Sequence, residues 1–355
     1  MPKVLVLIFP YGGHLHAVIP FIKILHSICH IEISSYPSFH SQISQHKLSY
    51  FNINTFPFGR GFEAAFIDKS SRKNSYLDRL LLKLGLHVLK ARKAEIEQII
   101  KERKPDILFI DHFLSSDLIL IYDLLRDNKI KYFLLQTMFP ENQYDNPPLT
   151  ESYIPSSVYS KICIKFLWLR VSFRNKIRGI FERIIYFFHD DSTVLRRLIY
   201  SNGYSGLQLE EPNLFSYNFK NVPQLILAPL ELEFFKTSKE SHHYMGIPTN
   251  KDLYPSYKVD QEFELLLDII ESKKSKQKII YCAFGTRYDL YLKEIVGFIK
   301  KLVSIAAKTP RYLIIFSFDF SLLDKSDFAI PENVKFFKQV PQLRVLESSD
   351  IFICH

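Results

Sequence analysis

Short continuous apolar runs alternate along this chain with stretches whose apolar positions recur every three or four residues, the pattern of buried parallel strands joined by helices. KVLVLIF (3–9) reads as the first strand, YGGH as a turn, and AVIPFIKILHSI as a helix with Pro20 near its first turns. IEISSYP, a short helix PSFHSQISQH and the β-rich LSYFNINTFPF follow, closed by Pro57 and Gly59, with residues 60–75 read as loop. From Leu77 to Arg103, Lys and Glu separate apolar residues at helical spacing, which predicts one long amphipathic helix ended by Pro105. DILFI (106–110), a helix over 116–126 and KYFLLQT (131–137) continue the alternation, so the fold class is α/β with a doubly wound parallel sheet.

The rhythm breaks over 138–222, where polar ENQYDNPP precedes a basic and aromatic stretch from Lys161 to Tyr200, before QLILAP (224–229) resumes as a strand. Residues 243–277, richer in Pro, Lys, Ser and Tyr, read as a linker, giving domains of 1–242 and 278–355 on either side. The second series is KIIYCAF (278–284), a turn at Gly285, a helix from 290 to 307, YLIIFSF, NVKFF, a short helix after Pro341, and DIFIC. No helix follows that last strand to cover its apolar face, so the second domain is expected to be incomplete.

With 355 residues, 47% hydrophobic and 23% charged, the composition supports two cores and excludes a disordered chain. No apolar run reaches membrane-spanning length and the first strand carries no cleavage signal, so a cytoplasmic location is expected. Cys29, Cys163, Cys282 and Cys354 lie far apart without CxxC or Cys/His spacing; they read as small core residues, and no metal is expected. A net charge of +9 favours an anionic partner, whether phosphate ligand, nucleic acid or membrane surface. Nucleic acid is the weakest of these, because no zinc-finger, homeodomain or RNP-type signature is present. YGGHLHA also lacks the GxGxxG spacing of a dinucleotide site.

In open α/β sheets, ligands bind beyond the carboxyl ends of the strands. His14, Asp111, Thr137, Gly285 and His355 all fall at such ends, split between two Rossmann-like halves, so a cleft between the halves is the expected site. At a strand-to-helix turn, helix N-terminal amides favour a neutral imidazole, the form a general base requires at position 14. Asp111 could orient that ring and stabilise its protonated form, making a hydroxyl group nucleophilic. Two plainer readings stay open: His14 as a residue filling its turn, and Asp111 as a helix N-cap or loop carboxylate. His16, His112 and Asp117 suggest no chemistry on their own.

The segments PYGGH, KPDILFIDHF, LILAPLELEF with YMGIP, YCAFGT and VPQLRVLESSDIFICH resemble the family 1, UDP-glycosyltransferase-like enzymes of the GT-B fold, of the macrolide and carotenoid glycosyltransferase type. The resemblance spans nearly the whole chain and implies two facing Rossmann-like domains and inverting sugar transfer from a nucleotide sugar, such as a UDP-hexose, to an acceptor hydroxyl. It further implies His14 as base, Asp111 as its partner, Thr137 near the donor sugar, and Gly285, Thr286, Gln342 and His355 at the donor, with no cofactor beyond the nucleotide sugar. Ala17 departs from a frequent Pro, and Gln339 stands where relatives carry an aromatic against the uracil ring. The family's GGxNS phosphate cradle would follow His355, so a chain ending there is expected to be impaired as a transferase.

Residues 161–183, KICIKFLWLRVSFRNKIRGIFER, interleave cations with aromatic and aliphatic residues, as an interfacial helix would. The sharper expectation is peripheral membrane contact at an acceptor entrance; the plainer one is an amphipathic helix packed on the N-terminal domain with its charges solvated. An aromatic-rich region of this kind suits a lipophilic alcohol or phenol as acceptor. The competing functional class is a non-catalytic, acceptor-binding or membrane-associated remnant of such an enzyme.

Overall fold

The computed structural model describes residues 1–59, 76–140, 146–148, 151, 153, 159–204, 206–210, 217–233, 239–246, 261–271, 277–285, 292–323, 329–338 and 340–354. The chain divides into two compact units, Met1–Thr249 and Asn250–His355.

The first unit opens with β1 (Lys3–Leu7), α1 (Gly12–Leu25), β2 (His30–Ser35), α2 (His40–Gln45) and β3 (Ser49–Asn52). It continues with α3 (Tyr76–Leu84), α4 (His87–Arg103), β4 (Ile107–Asp111), α5 (Ser115–Asp127) and β5 (Lys131–Gln136). The remaining elements are α6 (Ser160–Ile185), α7 (Asp191–Ser201), the two-residue strands β6 (Leu209–Glu210) and β7 (Asn218–Phe219), β8 (Gln224–Ile226) and β9 (His242–Tyr244). Seven strands form one parallel sheet in the order β3-β2-β1-β4-β5-β8-β9. Chain order reverses between β1 and β4, which opens a crevice at their carboxyl ends. Both faces are covered: Leu5 and Leu7 belong to one apolar cluster, Val4 and Val6 to the other, which is why β1 reads as an unbroken apolar run rather than an alternating one.

The single helix expected over 77–103 is two helices. Leu86 adopts the left-handed conformation at φ 50°, and a side chain on Gly85 would run into the His87 ring. Helix α1 begins at Gly12, earlier than expected, so Pro20, which has no N–H to donate, sits in its interior. Only Cys282 of the four cysteines is buried; Cys29 is half-buried and Cys163 and Cys354 are exposed, because helix and edge-strand positions that look apolar in sequence face solvent here. The loop read over 60–75 lies outside the described residues.

Helix α6 is fastened to the first unit by a narrow stripe. Ser160, Ile164, Trp168 and Val171 are buried, and the Trp168 indole donates to the Asn146 carbonyl oxygen at 2.7 Å. The Asn146 side-chain amide in turn donates to buried Glu233, which also accepts from the Tyr244 hydroxyl. At its other end the Ile185 carbonyl accepts from Tyr76 Oη, and Lys83 pairs with Asp191 of α7 at 2.7 Å.

The second unit contains α8 (Gln261–Glu271), β10 (Lys278–Ala283), α9 (Leu292–Lys308), β11 (Tyr312–Ser317), β12 (Val334–Phe337), α10 (Gln342–Ser348) and β13 (Ile351–Cys354). Its parallel sheet runs β12-β11-β10-β13. Ile280, Cys282, Ile314 and Phe316 pack against Ile295, Ile299 and Val303 of α9 on one face. Ile279, Tyr281, Leu313 and Ile315 pack against Phe263 and Leu267 of α8 and Val345 of α10 on the other. The stretch read as linker thus contains β9 residues paired in the first unit's sheet and a helix of the second unit's core.

Candidate active site

The carboxyl ends of β1, β4 and β5 are neighbours in the sheet, and each delivers one polar side chain to the same point. His14 lies in the first turn of α1, Asp111 is the last residue of β4, and Thr137 follows β5 directly. His14 Nδ1 lies 2.7 Å from Asp111 Oδ2 and 3.0 Å from Thr137 Oγ1. An ionised carboxylate can only accept, so Nδ1 carries the proton, donates to Asp111 and shares it with the threonine oxygen. In the neutral ring the lone pair is then on Nε2, which makes no hydrogen bond among the described residues.

Asp111 is fully buried and the His14 side chain retains only 11% of its exposure. The other carboxylate oxygen, Oδ1, accepts the Phe113 backbone N–H at 2.9 Å, capping the short turn of helix before α5, and Oδ2 also receives the Phe9 N–H at 3.4 Å. One Asp111 oxygen therefore caps the turn, and the other lies against the imidazole nitrogen. Phe9 and Phe113 flank the imidazole with ring centroids 5.2 and 4.7 Å away, fixing its plane. A buried acid, an imidazole of set tautomer and a partly open Nε2 make an arrangement able to take a proton from a hydroxyl.

Thr137, which the resemblance places near a donor sugar, touches the imidazole itself. In the second unit Gly285 lies two residues past the end of β10 with φ 71°, a left-handed conformation that favours glycine, and Gln342 is the exposed first residue of α10. Thr286, Gln339 and His355 lie outside the described residues. Among the described residues, no group of three or more His, Cys, Asp and Glu side chains is placed to hold a metal ion.

A second buried polar cluster lies in the same unit. Arg92 and Asp117 are both fully buried, with Arg92 Nη2 2.6 Å from Asp117 Oδ2, and the guanidinium also donates to the Thr55 carbonyl and Tyr36 Oη. Burial alone would lower the Arg92 pKa, but the adjacent Asp117 carboxylate outweighs it and raises it overall. Burial pushes the Tyr36 phenol up. Arg92 occupies the four-residue repeat of Val88, Ile96 and Ile100, and a cation at an apolar helical position was the signal that could have exposed this pair in the sequence.

No family model matches the chain, and no curated protein sequence matches it. Solved structures do. The glycotransferase of kitacinnamycin aligns over 100% of this chain and 76% of its own at 14% identity and a TM-score of 0.60. CalG4, the calicheamicin glycosyltransferase, aligns over 100% and 75% at 13% identity and a TM-score of 0.56. The spinosyn rhamnosyltransferase SpnG, also solved with thymidine diphosphate and with spinosyn aglycone, aligns over 99% and 75% at 14% identity and a TM-score of 0.54. These likenesses show that the chain has the α/β fold of GT-B glycosyltransferases.

Proposed function

We propose that this chain is an inverting glycosyltransferase that moves a sugar from a nucleotide sugar to a hydroxyl of a lipophilic small molecule. The observation that carries the reading is the His14–Asp111 pair, 2.7 Å apart at the switch point of the sheet. His14 Nε2 takes the acceptor's O–H proton as the oxygen attacks the anomeric carbon from the face opposite the leaving group. The bond from that carbon to the diphosphate oxygen breaks, the nucleoside diphosphate departs, and the configuration inverts. Asp111 stabilises the imidazolium so formed and keeps Nδ1 protonated throughout.

Fold likeness to CalG4 and SpnG, and the nucleotide and aglycone bound to SpnG, support a nucleotide sugar and a small-molecule aglycone as the two substrates. Gly285, Thr286, Gln342 and His355 are assigned to the donor in this reading, and no metal is required of it. The test incubates the full chain with UDP- and TDP-sugars and a panel of phenols and macrocyclic alcohols, reading nucleoside diphosphate release and acceptor mass. Release that requires acceptor and disappears in His14→Ala supports the proposal. Acceptor binding without turnover across the panel favours the non-catalytic reading, and turnover undiminished in His14→Ala overturns the role of the imidazole.

A further inference from the structure

Helix α6 carries two apolar stripes, and only one is used by the fold. Ile164, Trp168 and Val171 are buried. Phe166, Leu169, Phe173, Ile177, Ile180 and Ile184 recur at three and four residues and lie about 180° around the helix from the first stripe. They face solvent, Phe166 and Phe173 at 67% and 68% exposure. Single exposed apolar residues are ordinary, but a continuous row over a 26-residue helix is not. Cations border it on both sides, with Lys161, Lys165, Lys176 and Arg183 along one edge and Arg170 and Arg174 along the other; Glu182 is the only acid in the helix. The helix is packed on the first unit, as the plainer expectation has it, but this row gives it a second, apolar face that is exposed.

Beyond the helix the chain turns through Phe187 and Phe188, at φ 49° and 60°, a backbone strained for bulky residues, and both rings are more than half exposed. Beside this tip an open hollow of about 640 Å³ is lined by Arg183, Arg196 and Arg197 with Phe188, Thr193 and Tyr200. Among the described residues no carboxylate lines it, and the buried Arg183 Nε has no hydrogen-bond partner.

We infer that the outer face of α6, with the Phe187–Phe188 tip and the arginine-lined hollow, docks on an anionic phospholipid bilayer, the apolar stripe entering the interface and the hollow taking a headgroup phosphate. The charge pattern selects this occupant. A second copy of the chain would bring basic edge against basic edge in either helix orientation, whereas an anionic bilayer meets an apolar row between cationic borders with complementary chemistry. No described helix is long and apolar enough to cross a membrane, so the contact lies in the plane of the interface. This inference is independent of the proposed sugar transfer.

The experiment sediments the full chain with vesicles of phosphatidylcholine alone or mixed with phosphatidylglycerol. Binding is expected only to the mixed vesicles and should weaken with added salt. Phe166→Ser with Phe173→Ser should reduce it, and separately Arg196→Gln with Arg197→Gln should reduce it by about five-fold per charge removed. Hydrogen exchange of the unaltered chain should slow over 162–188 when mixed vesicles are added, a readout that needs no variant to fold. Failure to bind mixed vesicles at low salt, or absence of protection over that segment, overturns the inference. So does a dimer that the phenylalanine variant dissolves, because the stripe would then be a self-association surface.

Discussion

Replacing Asp111 with Asn tests the site through a change of one atom type. The carboxylate accepts from His14 Nδ1 at 2.7 Å on one oxygen and from the Phe113 N–H at 2.9 Å on the other. An amide has a single acceptor oxygen, so it must turn its NH2 toward one of these two donors. If the oxygen keeps the cap, the NH2 meets Nδ1 and drives the ring to the opposite tautomer, with Nε2 protonated and unable to act as base. Loss of one buried charge-assisted hydrogen bond costs about 1.5–3 kcal/mol. For a domain of this size, that lowers Tm by about 3–12 °C at roughly 2–4 °C per kcal/mol. Loss of a general base lowers kcat by about 10²- to 10⁴-fold, with KM little changed. Leu5→Ala, destabilising by a comparable or larger amount in the core and outside the site, measures how much activity is lost to instability alone. Turnover in folded Asp111→Asn equal to the unaltered chain, well below its Tm, refutes the reasoning.

Asp117→Asn leaves the Arg92 guanidinium buried without its counter-charge and should cost about 3–5 kcal/mol in urea unfolding, while the double change Arg92→Met, Asp117→Leu should recover most of it. Trp168 is the only tryptophan and fully buried, so native emission should be blue-shifted and insensitive to iodide; a red, quenchable signal would show that α6 is not anchored as described. His46 titrates at about 4 against an ordinary 6.5, lowered by burial and then by Lys23 and His16. Its folded pKa lies below its unfolded one, so it contributes nothing above pH 6.5 and destabilises progressively as pH falls from 6.5 to about 4; His46→Gln should flatten the urea midpoint across that window.

The strands are legible because parallel strands buried on both faces are continuous apolar runs, and the ends of those runs place His14 and Asp111 at the carboxyl edge of the sheet. The break between α3 and α4 is not, since the apolar period runs on through Gly85 and Leu86 and only the left-handed backbone interrupts it. Contact between Thr137 and the imidazole depends on β4 and β5 being adjacent, a pairing that sequence spacing does not encode. Arg92's place in an apolar repeat hints at its burial but does not mark Asp117 as its partner, and α6 reads as amphipathic without revealing which of its two apolar stripes the core takes.

The proposed chemistry requires an imidazole whose Nδ1 proton is held by a buried carboxylate. Long-range ¹H–¹⁵N spectra of the ring, assigned by loss of its signals in His14→Ala, test this without any substrate. A protonated Nδ1 and a bare, pyridine-type Nε2 are expected in the neutral ring. A protonated Nε2 with a bare Nδ1 would contradict the proposed chemistry.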